Sequence, residues 1–394
     1  MTKEGPRESL RAIALLFFRF GLTAFGGPAA HVAIMEDWFV RRRKWLSEQH
    51  FLDLIGATNL IPGPNSTEMT MHLGYERAGR RGLFTAGAAF ILPATILTGA
   101  FAWFYVRYGS LPAVEPFLAG IKPAVIAVIL GALRKLGKKA ITGAKTAALA
   151  LLVALLTVAG VEPVFALLAG GAAGVLGFGI LGRRGGKGVP LAFPALRAPS
   201  AVDAAAAGGA AGAAAGVSLV KLGLVFLKVG AVLYGSGYVL VAFLEGDLVG
   251  KYAWLTRTEL LDAIALGQFT PGPVLSTATF IGYVIAGVPG AVVATLGIFL
   301  PSFFFVLALN PVIPRLRESP WTAAFLDAVN AGALALMAIV TIRLGRAVLV
   351  DPASWAILIL AAVAVLRFRV NPAWVILGGA VFGSAWRLAA ARLF

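Results

Sequence analysis

The fold of this chain is decided by a short helix-breaking segment that occurs twice, as Leu60-Ile61-Pro62-Gly63-Pro64 and as Phe269-Thr270-Pro271-Gly272-Pro273. Upstream of these segments, the two parts of the chain align without a gap as far as Gly21 in the first part and Gly230 in the second. The alignment pairs Gly21 with Gly230, Glu36 with Glu245, Trp45 with Trp254, and Asp53 with Asp262. The chain therefore consists of two homologous halves with proline and glycine breaks at matching positions.

The composition is that of a membrane protein. Of the 394 residues, 59% are hydrophobic and only 13% are charged, whereas soluble domains carry about 25% charged residues. The apolar runs are long and do not alternate, so they predict helices, with about twenty residues needed for each crossing. We therefore expect an all-α polytopic membrane protein embedded in lipid. Duplicated apolar chains with matched helix breaks are typical of secondary transporters.

Charge and cysteine content exclude several classes of protein. The net charge of +16 comes from basic residues in short loops between apolar runs, a pattern that fits the positive-inside rule and not nucleic-acid binding. Cysteine is absent, so no disulfide, thiolate metal site or cysteine nucleophile exists. The three histidines and scattered acids form no cluster for metal or acid–base chemistry. We expect no cofactor, no metal, no catalytic residue and no enzymatic activity.

The apolar runs define the domain boundaries. We expect an N-terminal membrane repeat over residues 1–182, a basic and then Ala/Gly-rich linker over 183–216, and a C-terminal membrane repeat over 217–394. The run after Arg11 lacks a small-residue cleavage pattern, so we interpret it as a retained membrane segment and not a signal peptide. In the first repeat, Gly26-Gly27-Pro28 and Pro62-Gly63-Pro64 each interrupt a run, which predicts broken or re-entrant helices.

Basic residues change sides between the two repeats. The loop 77–81 carries three arginines, whereas the matching loop 286–290 carries none; loop 107–116 carries one, whereas its counterpart contains Arg315 and Arg317. Inverted-topology repeats produce this switch because each half obeys the positive-inside rule in its own orientation. We therefore favour inverted repeats over a parallel duplication followed by loop drift.

The matched breaks are candidate anion-binding sites. A helix N-terminus offers free N–H groups and a partial positive charge, and two such termini facing each other would form an oxyanion cradle. The alternative is that the breaks only bend helices for packing. The candidate substrate-binding residues are Gly26, Gly27, Pro28, His31, Asn59, Pro62, Gly63, Pro64, Asn65, Ser66, Thr67, Gln268, Pro271, Gly272, Pro273, Ser276 and Thr277.

Ionisable residues within the apolar runs are candidates for coupling or charge compensation. Glu68 could carry a proton or pair with an arginine; the alternative is a carboxylate satisfied by a nearby cation or hydroxyl. Glu36 and Glu245 could act in coupling or pair with nearby cations. His31 could bind an anion when protonated or switch with pH; the alternative is a core imidazole bonded to the backbone. The candidates are Glu36, Arg41, Glu68, His72, Arg77 and Glu245.

Several motifs together resemble the chromate ion transporter (CHR) family in its long, two-domain form. They are Phe25-Gly26-Gly27-Pro28-Ala29-Ala30-His31, Ile61-Pro62-Gly63-Pro64-Asn65-Ser66-Thr67-Glu68, His72-Leu73-Gly74-Tyr75-Glu76-Arg77-Ala78-Gly79, Gln268-Phe269-Thr270-Pro271-Gly272-Pro273, Thr277-Ala278-Thr279-Phe280-Ile281-Gly282-Tyr283 and Gly297-Ile298-Phe299-Leu300-Pro301-Ser302-Phe303. The resemblance implies export of chromate across the inner (cytoplasmic) membrane, conferring chromate resistance, driven by the proton-motive force and competed by sulfate. The alternatives are a transporter of sulfate or another oxyanion with the same fold, and a passive anion channel. A homodimer is an open possibility.

Overall fold

The computed structural model describes residues 8–24, 28–109, 111, 114–180, 217–234, 237, 239–309 and 320–393. The proposed linker 183–216 lies outside these residues, as do Gly26 and Gly27. The described part of the chain is helical and contains no strand. The first repeat forms α1 Leu10–Thr23, α2 Pro28–Met35 with a π-helical continuation Glu36–Arg42, α3 Glu48–Thr58, α4 Asn65–Tyr108, α5 Glu115–Ala140, α6 Ala144–Val158, and α7 Pro163–Gly174 with a π-helical continuation Val175–Ile180.

The second repeat reproduces the helices of the first in the same order. Its elements are α8 Leu219–Val232, α9 Leu240–Leu244 with a π-helical continuation Glu245–Lys251, α10 Arg257–Phe269, a 3₁₀ turn Val274–Ser276, α11 Thr277–Leu309, α12 Pro320–Val348, α13 Pro352–Leu366 and α14 Pro372–Leu393. Even the helix caps are repeated, since Ser9 and Ser218 cap α1 and α8, and Ser47 and Thr256 cap α3 and α10. The prediction of two homologous, all-helical halves is confirmed.

Long apolar helices identify the chain as a multi-pass membrane protein. Among the described residues, four helical stretches are long and apolar enough to cross a bilayer: Asn65–Tyr108, Glu115–Ala140, Val274–Ala308 and Trp321–Val348. Large side chains on their outer faces are exposed, for example Ile96 and Leu296. In water such exposure would be unfavourable, but lipid solvates these faces.

Each of α4 and α11 is folded back on itself. The turn in α4 lies at Ala78-Gly79, where Gly79 has a φ of +58°, and the turn in α11 lies at Ala286-Gly287. A Cβ on Gly74 would collide with the carbonyl oxygen of Gly82, so the arms 65–77 and 80–108 run antiparallel in close contact. The sequence predicted a basic loop at residues 77–81, and the structure has a tight turn there.

The later helices of each repeat pack against those of the other repeat. Helix α5 of the first repeat packs against α13 and α14 of the second, and α12 packs against α6 and α7. Glycines allow these close contacts: Gly120 on α5 lies directly against Gly379 and Gly383 on α14. Helices α4 and α11 also pack on each other. The two repeats therefore form one intertwined body, although each has its own set of helices.

Candidate functional site

The first Pro-Gly-Pro segment is the closed end of a helical hairpin. Helix α3 and the arm 65–77 run antiparallel, since His50 Nε2 near the start of α3 lies 3.2 Å from Glu76 Oε1 near the end of the arm. At 1.5 Å per residue, the 11 residues of α3 span about 16 Å, roughly half of a 30 Å hydrocarbon core. An arm of this length is too short to cross the core, so we expect the hairpin to enter and leave on one side, with Pro62-Gly63-Pro64 near the middle of the membrane. We call this segment tip 1, and Pro271-Gly272-Pro273 tip 2.

Each tip is hydrogen-bonded to the other repeat in the same way. The Gly63 amide donates to the Leu233 carbonyl oxygen at 2.7 Å, and the Gly272 amide donates to the Ala24 carbonyl oxygen at 2.9 Å. Ala24 and Leu233 are the residues that end α1 and α8. Each tip thus satisfies a carbonyl that the opposite broken helix leaves open. Each tip therefore contacts the broken helix of the other repeat. The oxyanion cradle between two facing tips stays a prediction.

Tip 1 combines free N–H donors with buried oxygen atoms. The N–H groups of Thr67 and Glu68 donate to Pro64, so the N–H groups of Asn65 and Ser66 are left at the start of α4. The Asn65 amide nitrogen donates to Asn59 Oδ1 at 2.7 Å, which brings two predicted residues together.

Three buried side chains at tip 1 have oxygen atoms without a hydrogen-bond partner in the described part of the chain. These are the Thr67 hydroxyl, both carboxylate oxygens of Glu68, and the hydroxyl of Ser302, which comes from α11 of the other repeat. A Cβ on Gly63, whose φ is +142°, would collide with Glu68 Oε1 and Ser302 Oγ. Only glycine fits here, and the two oxygens lie side by side above it.

Tip 2 is built from hydroxyl groups that are paired. Thr98 Oγ1 on α4 donates to the Ala94 carbonyl oxygen at 2.6 Å and lies 3.1 Å from Ser276 Oγ and 3.3 Å from Thr270 Oγ1. Thr277 Oγ1 donates to the Val274 carbonyl oxygen at 2.8 Å. A cavity of about 10 Å³, room for about one water, adjoins this tip and is lined by Ala24, Gly267, Gln268, Thr270, Gly272, Val274, Asn371 and Pro372.

His31 belongs to the hydrogen-bonded breaks. Its Nε2 lies 3.0 Å from the Ala24 carbonyl oxygen, the same oxygen that accepts the bond from Gly272. The ring is buried, with its edge against Phe20 and Phe90. This matches the alternative of a core imidazole bonded to the backbone. The predicted neighbour Pro28 begins α2.

Four other charged candidates lie in ion pairs or stacked on an aromatic ring: Glu36, Arg41, Arg77 and Glu245. Glu36 Oε1 pairs with Arg41 at 2.8 Å on the surface, and the Arg77 guanidinium lies 4.8 Å from the centre of the Trp45 ring. Glu245 is buried and pairs with Arg257 at 3.2 Å and Arg343 at 3.3 Å. It lines a cavity of about 310 Å³ at the end of α9. His72 lies one turn beyond Glu68 and is buried.

Two ion clusters within the apolar helices were missed by the sequence analysis. Lys122 Nζ on α5 lies 3.4 Å from Asp262 Oδ2 on α10, and the Tyr105 hydroxyl donates to the same oxygen at 3.0 Å. Lys228 on α8 pairs with Glu162 at 2.6 Å and with Asp247 at 2.8 Å. The available signal was a charge inside an apolar run. Both clusters join the first repeat to the second.

Taken together, re-entrant hairpins, broken helices and uncharged donors near mid-membrane define a class, that of multi-pass helical membrane proteins with a polar site at the repeat interface. Among the described residues, no group of three or more His, Asp or Glu side chains could hold a metal ion.

Comparison with known proteins identifies the family. The sequence model of the chromate transporter family matches residues 11–175 and again 220–384. The chain is 32% identical to a chromate transport protein of Cupriavidus metallidurans over 96% of this chain and 93% of that protein. It is 33% identical to a chromate transport protein of Pseudomonas aeruginosa over 86% of this chain and 82% of that one. No solved structure matches it. The chain belongs to the chromate transporter family, with one family domain in each half.

Proposed function

We propose that this protein is a secondary active transporter that exports chromate across the inner membrane, driven by the proton-motive force and competed by sulfate, and that it confers chromate resistance. The observation that carries the proposal is the reciprocal pair of bonds from Gly63 to Leu233 and from Gly272 to Ala24. These bonds tie two re-entrant tips to two broken helices at the repeat interface. Transporters place substrate sites at such interfaces.

The chemistry of the tips suits a doubly charged oxyanion. The free N–H groups of Asn65 and Ser66 lie at the positive end of a helix, and the hydroxyls of Thr98 and Ser276 lie at the other tip. Uncharged donors can bind a dianion without the permanent attraction of a lysine or arginine, which would slow its release. Helix unwinding near Gly63 and Gly272 allows the backbone itself to approach the anion.

Contacts between α4 and α11 support an inverted arrangement of the repeats. Tyr105 lies 26 residues beyond the α4 turn, about 39 Å along the helix, whereas Phe280 lies about 10 Å from the α11 turn. If both turns lay at the same membrane surface, these rings would differ in depth by about 29 Å, yet their centres are 5.3 Å apart. Opposite surfaces for the two turns remove the conflict.

Transport into inverted membrane vesicles tests this proposal. Vesicles that contain the protein should accumulate chromate when energised, and excess sulfate should reduce that accumulation. The matched control is vesicles with the same membranes and no copy of this protein. Sulfate accumulation without chromate accumulation would instead favour a transporter of another oxyanion. Flux that only dissipates a chromate gradient, with no response to energisation, would favour a passive channel. Crosslinking in the same vesicles tests whether the protein forms a homodimer.

A further inference from the structure

Glu68 is the buried acid that the proposed binding chemistry leaves unused. Its side chain is 0% exposed, and neither carboxylate oxygen makes a hydrogen bond in the described part of the chain. No Lys, Arg or His in the described residues forms an ion pair with it. A lone carboxylate charge in such surroundings is far less stable than the neutral acid. The position therefore strongly favours binding of a proton or another small cation.

The groups around Glu68 are polar and uncharged. Ser302 Oγ and Glu68 Oε1 both lie at the position that a Cβ on Gly63 would occupy. Two titratable residues lie near Glu68: Tyr234 at the end of α8 and the buried His72, one turn further along the same arm. Other titratable side chains lie on the elements packed against this arm. Arg11, Arg19 and Glu48 are exposed, Tyr283 lies near the α11 turn, and the rest are in their own hydrogen bonds or ion pairs: His31, His50, Asp53, Arg257, Glu259 and Asp262.

Tip 2 shows that this hairpin does not need an acid in order to fold. At the matching positions, the second repeat has Ser276 and Thr277, and both are satisfied by ordinary hydrogen bonds. The two tips otherwise share their Pro-Gly-Pro segment, their positive-φ glycine and their bond to the opposite repeat. The hairpin therefore forms in the second repeat with a neutral, hydrogen-bonded Thr277 at the position of Glu68.

We propose that Glu68 is the proton-binding residue of this transporter, and that the Ser302 hydroxyl hydrogen-bonds its carboxyl group when the acid is protonated. Resting on the proposed transport function, this assignment adds proton binding to tip 1, whereas tip 2 has no acid at the matching position. A proton binds to the Glu68 carboxylate from one side of the membrane and leaves to the other side, while the oxyanion moves in the opposite direction. Because Ser302 lies on α11, movement of α11 relative to tip 1 changes the surroundings of the acid and so links protonation to conformation.

Two transport assays in proteoliposomes test the assignment. The first is exchange of labelled sulfate or chromate against the same unlabelled anion without any gradient. The second is accumulation of the anion driven by a pH gradient. Glu68→Gln keeps the shape of the neutral acid, and the matched control is Glu76→Gln on the same helical arm, at the surface. We expect Glu68→Gln to keep exchange and lose pH-driven accumulation, whereas Glu76→Gln keeps both.

The remaining outcomes separate this inference from the proposed function. Retained pH-driven accumulation in Glu68→Gln would overturn the proton assignment. So would loss of exchange together with loss of the thermal shift that the anion induces, because Glu68 would then act in anion binding. Accumulation driven by a sodium gradient and not by pH would replace the proton with sodium. If the unchanged protein neither exchanges nor accumulates any oxyanion, the proposed function itself fails.

Infrared difference spectroscopy gives an independent readout. When sulfate or chromate binds, we expect the carbonyl band of a protonated carboxylic acid to change in the unchanged protein. That change should be absent in Glu68→Gln and present in Glu76→Gln. A band that persists in Glu68→Gln would overturn the assignment, even if that variant transports poorly.

Discussion

Replacing Lys122 with methionine should destabilise the protein far more than the loss of a surface ion pair. Lys122 and Asp262 lie 3.4 Å apart with side chains 19% and 3% exposed. At an effective dielectric constant of about 20, their attraction at that distance is about 5 kcal/mol. Lys122→Met leaves the Asp262 carboxylate buried with only the Tyr105 hydroxyl as a donor. We expect a loss of about 3–5 kcal/mol in the free energy of unfolding.

A double-mutant cycle measures this interaction directly. Lys122→Met, Asp262→Asn and the double variant are unfolded in mixed micelles of mild detergent and dodecyl sulfate, with tryptophan fluorescence as the signal. The double variant should cost no more than about 1–2 kcal/mol, because no buried charge is left unpaired. The control is Arg42→Met, since the Arg42–Asp37 pair is shorter at 2.8 Å but its side chains are 71% and 41% exposed. That change should cost at most about 1 kcal/mol.

The reasoning is refuted if the cycle gives a coupling energy near zero. It is also refuted if Arg42→Met and Lys122→Met destabilise the protein equally. Either result would mean that Lys122 and Asp262 are solvated independently, and that α5 and α10 are not joined by this ion pair.

Three further predictions concern the tips and the charged cavity. Gly63→Ala should reduce stability by about 1–3 kcal/mol more than Gly79→Ala in the same unfolding assay, because both glycines have positive φ but only Gly63 has side chains where the Cβ would lie. Thr98→Val removes the hydroxyl that lies between Ser276 and Thr270. This change should raise the KM for sulfate exchange by up to about tenfold. Size-exclusion chromatography should show that the variant is folded. Glu245→Gln should lower the melting temperature while leaving the exchange KM unchanged, since its two arginine partners lie away from both tips; a changed KM would place Glu245 in the substrate path.

The hairpin tips show which parts of the site could be read from the residues. Pro62-Gly63-Pro64 predicted a helix start near mid-membrane because proline suits the first helical turn and glycine tolerates unusual dihedral angles. The pairing of Asn59 with Asn65 lay within reach of the same reasoning, since a six-residue separation brackets the break. Ser302 did not, because it lies more than two hundred residues away, and only tertiary packing brings it to tip 1.

The charged residues show which contacts could not be predicted from the sequence. Glu36 was offered as a coupling residue or as a partner of nearby cations, and a local contact with Arg41 places it in the second group. The partners of Glu245, by contrast, include Arg343, nearly one hundred residues further along the chain. Lys122 was overlooked altogether, although a lysine inside an apolar helix is unusual enough to attract notice. Its importance becomes visible only when Asp262 is found opposite it.

By itself, the sequence determined that this protein is helical, lies in a membrane, is duplicated and breaks its helices at matching places. Those properties follow from local physics: apolar runs must satisfy their own backbone in lipid, and proline and glycine end helices wherever they occur. Only the tertiary structure decided which breaks meet, which helices of the two repeats pack together, and which buried charges find partners. Such contacts depend on how distant segments pack, and neighbouring residues do not encode that packing. Glu68 illustrates both contributions. The motif gave its place in the sequence, and the fold buried it without an ion-pair partner among the described residues.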